Sequence, residues 1–584
     1  MPALVLGPLL RWVGDTAATV WVETDAPCTV RLTLTDTAAE GAAVAPVTAT
    51  EPTFTILGHH YALVIVDGLE RGRSYAYTVD LDDDRVWPEP DPHFPPSVIR
   101  TLDPDRPFRL AFGSCRKAVP NSRPWTLPTR KDKRGHGLDA LGAYAGRMLT
   151  APEPDWPDAL LLLGDQVYAD DTPPQFREAI KSDRDTSEEP GYGARNFEDY
   201  CFLYREAWGR LPAVRWLLST VPSAMIFDDH DVHDDWNTSA AWVAWIRSKP
   251  WWQDRIVGGL ASYWICQHLG NLAPSDLAEN ELFARVRSGD GEAALLAYAD
   301  KADKEPGGHG TRWSFRRDFG TTRLIVIDSR CGRVLEGDER QMLDPDEWRW
   351  LDERVTGGVD HLLLATSLPY LLPRSVHDLE GWNEAVAGGK WGARMARAGE
   401  WLRQLGDLEH WAAFRTSFDR LAGMIAAAGA GERGEPPASI VLLSGDVHHA
   451  YLAEASFPAG RGVRSPVWQA TCSPLRNPAH PRLQQANRFA NTRAGRAIGR
   501  AFAASVRLPA PPLSWRIDHG PYFDNQIATL ELSGRSARLR IERPAEPSGD
   551  GAATHEIGAG AGLHLTLDHR LTADTHAPAP PTRV

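Results

Sequence analysis

The sequence predicts a two-domain protein in which an all-β sandwich precedes a larger α/β domain. Residues 28–35 and 75–81 alternate apolar and polar side chains, which is typical of half-buried strands. Several short strands of this kind follow one another closely along the first part of the chain. They predict an immunoglobulin-like or fibronectin-like sandwich over residues 1–104.

After Pro107 the pattern changes to short, continuously apolar strands separated by segments with helical spacing, for instance 345–355. This alternation predicts a largely buried sheet, which makes residues 105–545 an α/β domain with helical insertions. Residues 546–584 are rich in Gly, Ala and Pro, and we expect them to form a tail.

Composition excludes several classes of protein. The formal charge of −14 over 584 residues argues against a stable nucleic-acid partner, which would need a basic surface. The six cysteines contain no Cys-x-x-Cys pair, so reduced thiols are expected rather than a disulfide framework. The N-terminus has no secretion signal pattern, and nowhere do eighteen apolar residues run together. We therefore expect a cytoplasmic protein with no membrane partner; composition does not predict the oligomeric state.

Residues with polar side chains that could bind metal or take part in catalysis follow the apolar strands at the points where the strands end. Asp165 follows the strand at 159–163, and Asp446 follows the strand at 440–443. Because ligands of such sheets bind at the carboxyl ends of the strands, these turns are expected to meet at one edge. Asp165 alone could equally cap the next helix.

The run from Phe227 to Asn237 is the most concentrated of these turns. Seven of its eleven residues are Asp or His, and it directly follows the apolar residues 224–226. Three carboxylate-bearing turns at one sheet edge would repel one another strongly unless cations neutralised them. The sequence therefore predicts a metal site, where two ions could clamp the attacking and leaving oxygens of a hydrolysis.

Taken together and in order, these motifs resemble a known family. Gly-Asp-x-x-Tyr at 164–168, Asp-Asp-His-Asp at 228–231, Gly-Asp-Val-His at 445–448 and Gly-Ser-Cys at 113–115 are similar to the motifs of the PhoD-like (alkaline phosphatase D type) metallophosphoesterases. The resemblance spans roughly residues 5–540. It implies the four-layer sandwich of the metallophosphoesterases, preceded by the β-sandwich that usually leads this family.

The resemblance also implies a set of metal ligands and a catalytic histidine. His230 matches the superfamily's catalytic histidine, and Asp229 stands where the wider superfamily has a metal-binding Asn. The family pairs iron(III) with calcium, although other divalent metals would also suit these side chains. Thiolate, phenolate and imidazole favour a transition metal, and carboxylates favour Ca²⁺. The implied ligands are Cys115, Asp165, Tyr168, Asp229, Asp446 and His448.

The chain departs from the superfamily pattern in three respects. The usual opening Asp-x-His is absent, as it generally is in PhoD-like proteins, and Cys115 takes its place. A buried, inert cysteine is the alternative interpretation. No histidine ends the strand at 361–366, where many dimetal phosphoesterases have a ligand. The family's secretion signal is also missing, which weakens any role in scavenging phosphate outside the membrane.

Two further residues have alternative interpretations. Asn237 could complete a calcium site, or it could orient His230 without binding metal itself. Arg330 could hold a substrate phosphate through two hydrogen bonds, but a structural ion pair explains it equally well. We expect Asp231 to orient His230.

These observations predict a metal-dependent phosphoesterase that acts on a small phosphorylated substrate. A metal-bound hydroxide would attack phosphorus, and His230 would protonate the leaving oxygen. The sequence does not distinguish a phosphatase acting on monoesters from a phosphodiesterase. The alternative is a non-catalytic binding protein of the same fold in which metal serves only stability. A serine or cysteine hydrolase is less well supported because no Gly-x-Ser-x-Gly elbow occurs.

Overall fold

The computed structural model describes residues 1–38, 45–89, 94–305, 311–336, 340–545 and 562–573. Within them, the first hundred residues contain strands and no helix. The predicted all-β N-terminal domain is thereby confirmed. Its strands are β1 (Leu4–Val13), β2 (Ala17–Thr24), β3 (Thr29–Asp36), β4 (Val47–Pro52), β5 (Phe54–Ile56), β6 (His59–Asp67), β7 (Ser74–Leu81), β8 (Asp84–Trp87) and β9 (Val98–Arg100).

These strands form two antiparallel sheets that share one apolar core. One sheet has the order β1-β2-β6-β5, and the other has the order β4-β3-β7-β8 with β9 paired to β7. Val20 and Val64 of the first sheet and Leu32 and Val79 of the second are fully buried in the same cluster. Period-two alternation in β3 (Thr29–Asp36) places its apolar residues inward, as the sequence predicts.

The second domain contains thirteen strands among the described residues. They are β10 (Phe108–Gly113), β11 (Ala159–Leu163), β12 (Ser223–Ile226), β13 (Phe315–Phe319), β14 (Thr322–Ile327), β15 (His361–Thr366), β16 (Ser439–Ser444), β17 (Ala450–Ser456), β18 (Val467–Thr471), β19 (Ser514–Tyr522), β20 (Ile527–Ser533), β21 (Ser536–Ala545) and β22 (Gly562–Arg570).

Fifteen described helices connect or cover these strands. None of them combines the length and apolar composition needed to cross a bilayer, as far as the described residues go. The helices are α1 (Ala140–Met148), α2 (Pro174–Ile180), α3 (Phe197–Tyr204), α4 (Pro212–Thr220), α5 (Ala240–Ile246), α6 (Trp252–Tyr263), α7 (Pro274–Ala278), α8 (Glu281–Arg287), α9 (Glu292–Lys304), α10 (Pro345–Arg354), α11 (Arg374–Ala387), α12 (Ala393–Leu405), α13 (Arg415–Ala430), α14 (Pro481–Ala490) and α15 (Arg493–Ser505).

The thirteen strands form two sheets. A six-stranded sheet has the order β12-β11-β10-β20-β21-β22, and a seven-stranded sheet has the order β13-β14-β15-β16-β18-β17-β19. Strands β10 to β12 are parallel, as are β14, β15, β16 and β18. Leu110 and Leu161 of the first sheet share an apolar cluster with Leu363 and Val441 of the second. The two sheets are therefore packed together through that cluster.

The opposite face of the seven-stranded sheet is covered by helices. Leu362 and Leu364 of β15 point to this side and lie in a second cluster with Trp348 of α10 and Phe418 of α13. Because alternate residues of β15 belong to different clusters, both faces of the strand are buried. This explains why its sequence is continuously apolar.

The predicted C-terminal tail contains a strand. Strand β22 pairs antiparallel with β21 and extends the six-stranded sheet. Its sequence alternates Leu563, Leu565 and Leu567 with polar residues, a period-two pattern that the neighbouring Gly- and Ala-rich composition obscures. Residues 546–561 and 574–584 of the predicted tail lie outside the described residues.

Buried polar contacts join the N-terminal sandwich to the second domain. The Arg11 guanidinium is fully buried and donates to the carbonyls of Gln267 at 2.8 Å, of Ser223 at 3.3 Å and of Cys266. The Tyr77 hydroxyl donates to the Ser219 carbonyl at 2.6 Å. These contacts bind the sandwich to β12 and its flanking segments.

His59 is the centre of a charged network at this interface. Its Nδ1 lies 3.0 Å from Glu23 and its Nε2 lies 2.7 Å from Glu198 of α3. Arg205 also donates to Glu23, at 2.6 Å. Hydrogen bonding to Cys201 and to Glu23 outweighs burial and raises the pKa of His59 to about 10. The protonated imidazole therefore links carboxylates of both domains.

A raised pKa in the folded state makes stability depend on pH. The stabilisation by His59 is fully present below its unfolded pKa of about 6.5 and is lost as pH rises towards about 10. We expect His59→Gln to lower the melting temperature most at pH 6, with a difference from the parent that shrinks as pH approaches 10. Thermal unfolding at several pH values measures this. His60→Gln, at the neighbouring position on the same strand, is the matched control for loss of an imidazole; an equal effect of His59→Gln at pH 6 and pH 10 would contradict the role of His59.

Candidate metal and catalytic site

The predicted site residues follow four strand ends that lie at one edge of the sheets. Cys115 follows β10, Asp165 follows β11, Asp229 follows β12, and Asp446 follows β16. Cys115, Asp165 and Asp446 have positive φ angles of 54°, 54° and 63°, and His448 has one of 52°. Such backbone is costly for residues other than glycine and concentrates at functional sites. The predicted convergence of these turns is what the structure shows.

Two glycines allow the turns to approach closely. A Cβ atom on Gly164 would lie 2.4 Å from the Cβ of Asp228, and one on Gly445 would lie 2.2 Å from the Oγ of Ser114. Neither position has room for a side chain. The glycine of each Gly-Asp motif is thus required by the packing of neighbouring strand ends.

Asp231 holds the backbone of two of these turns together. One of its oxygens accepts the amide N–H groups of Asp165 and Asp228, both at 2.8 Å. Its other oxygen accepts those of Gln166 and Val167, both at 3.2 Å. We predicted that Asp231 orients the His230 ring, but in the structure its carboxylate accepts these four amide hydrogen bonds. Asp231 instead positions Asp165.

His230 is held by a carboxylate that the sequence analysis did not identify. Its Nδ1 lies 2.9 and 3.1 Å from the two carboxylate oxygens of Asp170, so the Nδ1–H donates there. Burial alone would lower the pKa of His230, but the charges of Asp170 and Asp229 outweigh burial and raise the pKa well above its usual value. In the absence of cations the protonated imidazole is therefore favoured, and its Nε2, on the side away from Asp170, lies 3.7 Å from an Asp234 carboxylate oxygen.

Three carboxylates next to His230 form a compact buried cluster. Asp165, Asp228 and Asp229 each place one oxygen within 4.8 Å of the others, and all three side chains are buried. Asp165 Oδ1, Asp228 Oδ2 and Asp229 Oδ1 have no hydrogen-bond partner. Burial and the neighbouring negative charges raise the pKa values of Asp165 and Asp228 well above the usual range. Unpartnered, closely spaced oxygens of this kind fit a divalent or trivalent cation.

The guanidinium of Arg330 partly neutralises this cluster. Its Nε donates to Asp228 and its Nη1 donates to Glu409, while its Nη2 lies 3.3 Å from Asp229 and 3.9 Å from Asp446. The side chain is 0% exposed. Of the two interpretations of Arg330, the geometry favours the structural ion pair, because the side chain is buried and its Nε and Nη1 are taken by Asp228 and Glu409; its Nη2 has no hydrogen-bond partner.

Cys115 and Tyr168 are both buried beside the carboxylate cluster. The Cys115 thiol lies 3.4 Å from the Asp446 carbonyl, and the Tyr168 hydroxyl accepts a hydrogen bond from the Asn477 amide at 3.1 Å. Burial and the charge of Asp165 raise the pKa values of both groups well above their usual range. Without a cation both side chains are protonated, so ligation by either requires the metal to displace a proton.

The last predicted pair, Asp446 and His448, has well-defined partners. His410 donates from Nε2 to Asp446 at 3.0 Å, and its Nδ1 contacts Glu380 at 2.8 Å. Burial acts in the opposite direction, but the hydrogen bond and charge of His410 lower the pKa of Asp446 to about 2. His448 donates from Nδ1 to the Asn477 carbonyl, which leaves its Nε2 as the atom able to bind a metal.

Asn237 lies at the back of the cluster. Its side-chain amide donates to the main-chain carbonyl of Arg330 at 3.2 Å, which supports the segment that carries the guanidinium.

Four residues with close contacts to the site were missed by sequence reasoning: Asp170, Asp228, Glu409 and His410. Asp170 and Asp228 stand beside quoted motifs and could have been found there. Glu409 and His410 lie between α12 and α13, where no local pattern marks them.

A buried, carboxylate-rich site at the ends of strands from two packed sheets is the kind of site that binds metal ions. The chain is similar to the solved structure described as "Structure of PhoD", with 13% identity over 97% of this chain and 90% of that chain and a TM-score of 0.54. The expected PhoD-like fold is therefore confirmed.

Other comparisons give weaker matches. The structure of purple acid phosphatase PPD1 from yellow lupin (Lupinus luteus) seeds is 10% identical over 92% of this chain and 71% of that chain, with a TM-score of 0.44. Residues 1–99 match the family described as "Domain of unknown function (DUF7800)". No sequence among the curated proteins matches the chain.

Arg330 provides a test of the charge balance in the cluster. Arg330→Leu is expected to lower the free energy of unfolding of the metal-free protein by about 3–5 kcal/mol, because it leaves buried carboxylates without their counterion. Chemical denaturation measures the change, and added Ca²⁺ should restore part of the loss. The control Arg316→Leu removes an exposed ion pair with Asp318 and should cost less than about 1 kcal/mol. An Arg330→Leu protein of normal stability with a weakened affinity for phosphate would instead support the substrate-binding role.

Proposed function

We propose that the protein is a metal-dependent phosphoesterase. The observation that supports this most strongly is the buried trio Asp165, Asp228 and Asp229, whose unpartnered oxygens lie beside a histidine held by its own carboxylate. The fold shared with PhoD gives independent support. We also infer a four-layer arrangement of helices and two sheets, because the sheets share a core, α10 and α13 cover the outer face of the seven-stranded sheet, and α1 packs on strands β20, β21 and β22 of the six-stranded sheet.

The residues at the site divide into two chemical groups. The soft or borderline donors Cys115, Tyr168 and His448 would favour a transition metal such as iron(III). The carboxylates Asp165, Asp228 and Asp229 would favour calcium. Asp446, which His410 keeps ionised, could serve either group. Bound cations here would polarise the phosphoryl oxygens and make a water molecule more acidic.

The chain's own residues would supply the proton for the leaving group. Asp170 fixes the Nδ1–H of His230 and favours the protonated ring, whose Nε2–H, 3.7 Å from Asp234, would donate to the oxygen that departs from phosphorus. Asp231 keeps the turn bearing Asp165 in place through four amide hydrogen bonds. Arg330 reduces the repulsion between the carboxylates before and after cations bind.

Asp229 tests the requirement for metal. Asp229→Ala is expected to reduce metal-dependent hydrolysis of p-nitrophenyl phosphate or its bis-ester by on the order of 100-fold or more, because a cation ligand is lost. Elemental analysis of the same preparations should show less bound metal. If iron(III) is bound by Tyr168 or Cys115, the parent protein should also show a visible charge-transfer band.

The matched control is Asp352→Ala, since Asp352 is an exposed aspartate paired with Arg433 on the surface. It should retain parent activity and metal content. Full metal-dependent activity in Asp229→Ala would refute the assignment. A parent protein that holds its metal but hydrolyses neither ester would support the binding-protein alternative.

Asp170 tests how His230 is positioned. Asp170→Asn is expected to lower kcat by about 10-fold to 100-fold while leaving KM nearly constant, because the ring loses the carboxylate that fixes and protonates it. Steady-state kinetics with p-nitrophenyl phosphate or its bis-ester measures both constants. Asp171→Asn is the control, since the adjacent Asp171 is exposed and pairs with Lys117 and Arg177. Equal losses in the two variants would contradict a specific role for Asp170.

A further inference from the structure

A cavity of about 430 Å³ opens directly beside the candidate metal site. One end is lined by Asp229, His230, Asp446 and His448. The other end is almost wholly apolar and extends away from the reacting groups between three helices, α11, α14 and α15. We call this apolar end the side groove. Its volume is in the range of small-molecule sites, which combine apolar walls with a few fixed polar groups.

The outer wall of the side groove exposes large apolar side chains. Leu483 and Phe489 of α14 are 48% and 51% exposed, and Ile498 and Phe502 of α15 are 49% and 37% exposed. All four line the same cavity. Exposed apolar residues that cluster around a concave surface indicate a binding site, whereas single ones scattered over a surface do not.

This wall is held firmly by close packing on α11. A Cβ atom on Gly499 would lie 2.8 Å from the Cα of Ser375, so only glycine allows α15 to approach so closely. The Ser375 hydroxyl donates to the carbonyl of Ala490 at the end of α14, at 2.7 Å. The Phe502 ring contacts the Trp382 ring at a centroid distance of 4.7 Å. The groove therefore exists before any ligand binds.

The segment that carries α14 and α15, the outer wall of the side groove, is basic. Residues 481–507 contain no acidic residue, although the chain as a whole has a net charge of −14. None of the segment's arginines lines the cavity, whose polar end also contains Asp234, Asp407 and Glu409, so an anionic head group there would depend on bound cations. The segment has six arginines: Arg482, Arg488, Arg493, Arg496, Arg500 and Arg507.

We propose that the side groove binds an apolar alkyl or aryl group of the phosphoester substrate. The inference rests on the proposed function, because it places the phosphate at the polar end of the cavity. From there the organic group extends along Leu379 and Val376 of α11 towards Ile498 and Phe489. The substrate is then an amphiphilic phosphoester, with an anionic head at the metal site and an apolar body in the groove.

The test uses 4-nitrophenyl phosphate diesters that differ only in their second group, namely ethyl, butyl and octyl, at concentrations below micelle formation. The leaving group is constant, so differences in kcat/KM report on the groove. Burial of each methylene should raise kcat/KM by up to about fourfold until the groove is filled. We expect the octyl ester to exceed the ethyl ester by at least tenfold.

Variants localise the effect. The double variant Phe489→Ser with Ile498→Ser should reduce the ratio of octyl to ethyl kcat/KM towards one. Trp401→Ser is the matched control, because Trp401 is 65% exposed but does not line the cavity. It should leave the ratio unchanged. Circular dichroism and thermal unfolding confirm that each variant is folded.

The outcomes separate this inference from the proposed function. Hydrolysis of all three esters at equal kcat/KM would overturn the side groove while leaving the phosphoesterase intact. If no ester is hydrolysed, the proposed function fails, and calorimetric binding of butylphosphonate and octylphosphonate to the metal-loaded protein then tests the groove alone. Equal affinities for these two phosphonates would overturn it, and an octylphosphonate preference that the double variant loses would support it.

Discussion

The balance of buried charge around Arg330 is the constraint on which the rest of the site depends. At separations near 4 Å, two carboxylates repel each other by about 4 kcal/mol in the effective dielectric of a protein. One guanidinium contacts Asp228, Asp229 and Glu409 and lies near Asp446, so it cannot neutralise all of them. Arg333 also pairs with Glu409, and His410 pairs with Asp446. The charge that remains on Asp165, Asp228 and Asp229 must therefore be compensated mainly by protons or by cations.

Protons and cations therefore compete for the same oxygens. The raised pKa values of Asp165 and Asp228 show that the metal-free cluster favours protonation. The same holds for Cys115 and Tyr168, whose burial keeps them neutral. A cation that binds here must release several protons, which makes affinity depend on pH. Arg330 limits how many protons are involved, since it already compensates part of the charge.

Much of the fold and part of the site could be predicted from the sequence. Continuously apolar strands ending at polar turns are a local signal, and they located Asp165, Asp229, His230 and Asp446 at one edge. The partners of these residues are decided by tertiary contacts that leave no local pattern. The His230 ring contacts Asp170 and not the adjacent Asp231, because the backbone amides of another turn bind the Asp231 carboxylate.

The role of Arg330 and the strand in the C-terminal tail also could not be predicted from the local sequence pattern. An arginine after a strand end is compatible with phosphate binding or with an ion pair, and only its surroundings distinguish them. Strand β22 follows a Gly- and Ala-rich segment and becomes recognisable through its pairing with β21. Composition averaged over a segment concealed a short alternating pattern.

Helix α11 connects the apolar part of the cavity to the polar part. Leu379 lines the side groove, and the next residue, Glu380, contacts Nδ1 of His410, whose Nε2 donates to Asp446. Because Glu380 is fully buried, this chain of contacts has little freedom to rearrange. The same rigid helix therefore sets the position of a candidate metal ligand and the wall that the organic group would contact. Correct seating of the apolar group would in this way align phosphorus with the metal ligands through geometry alone, without a moving lid.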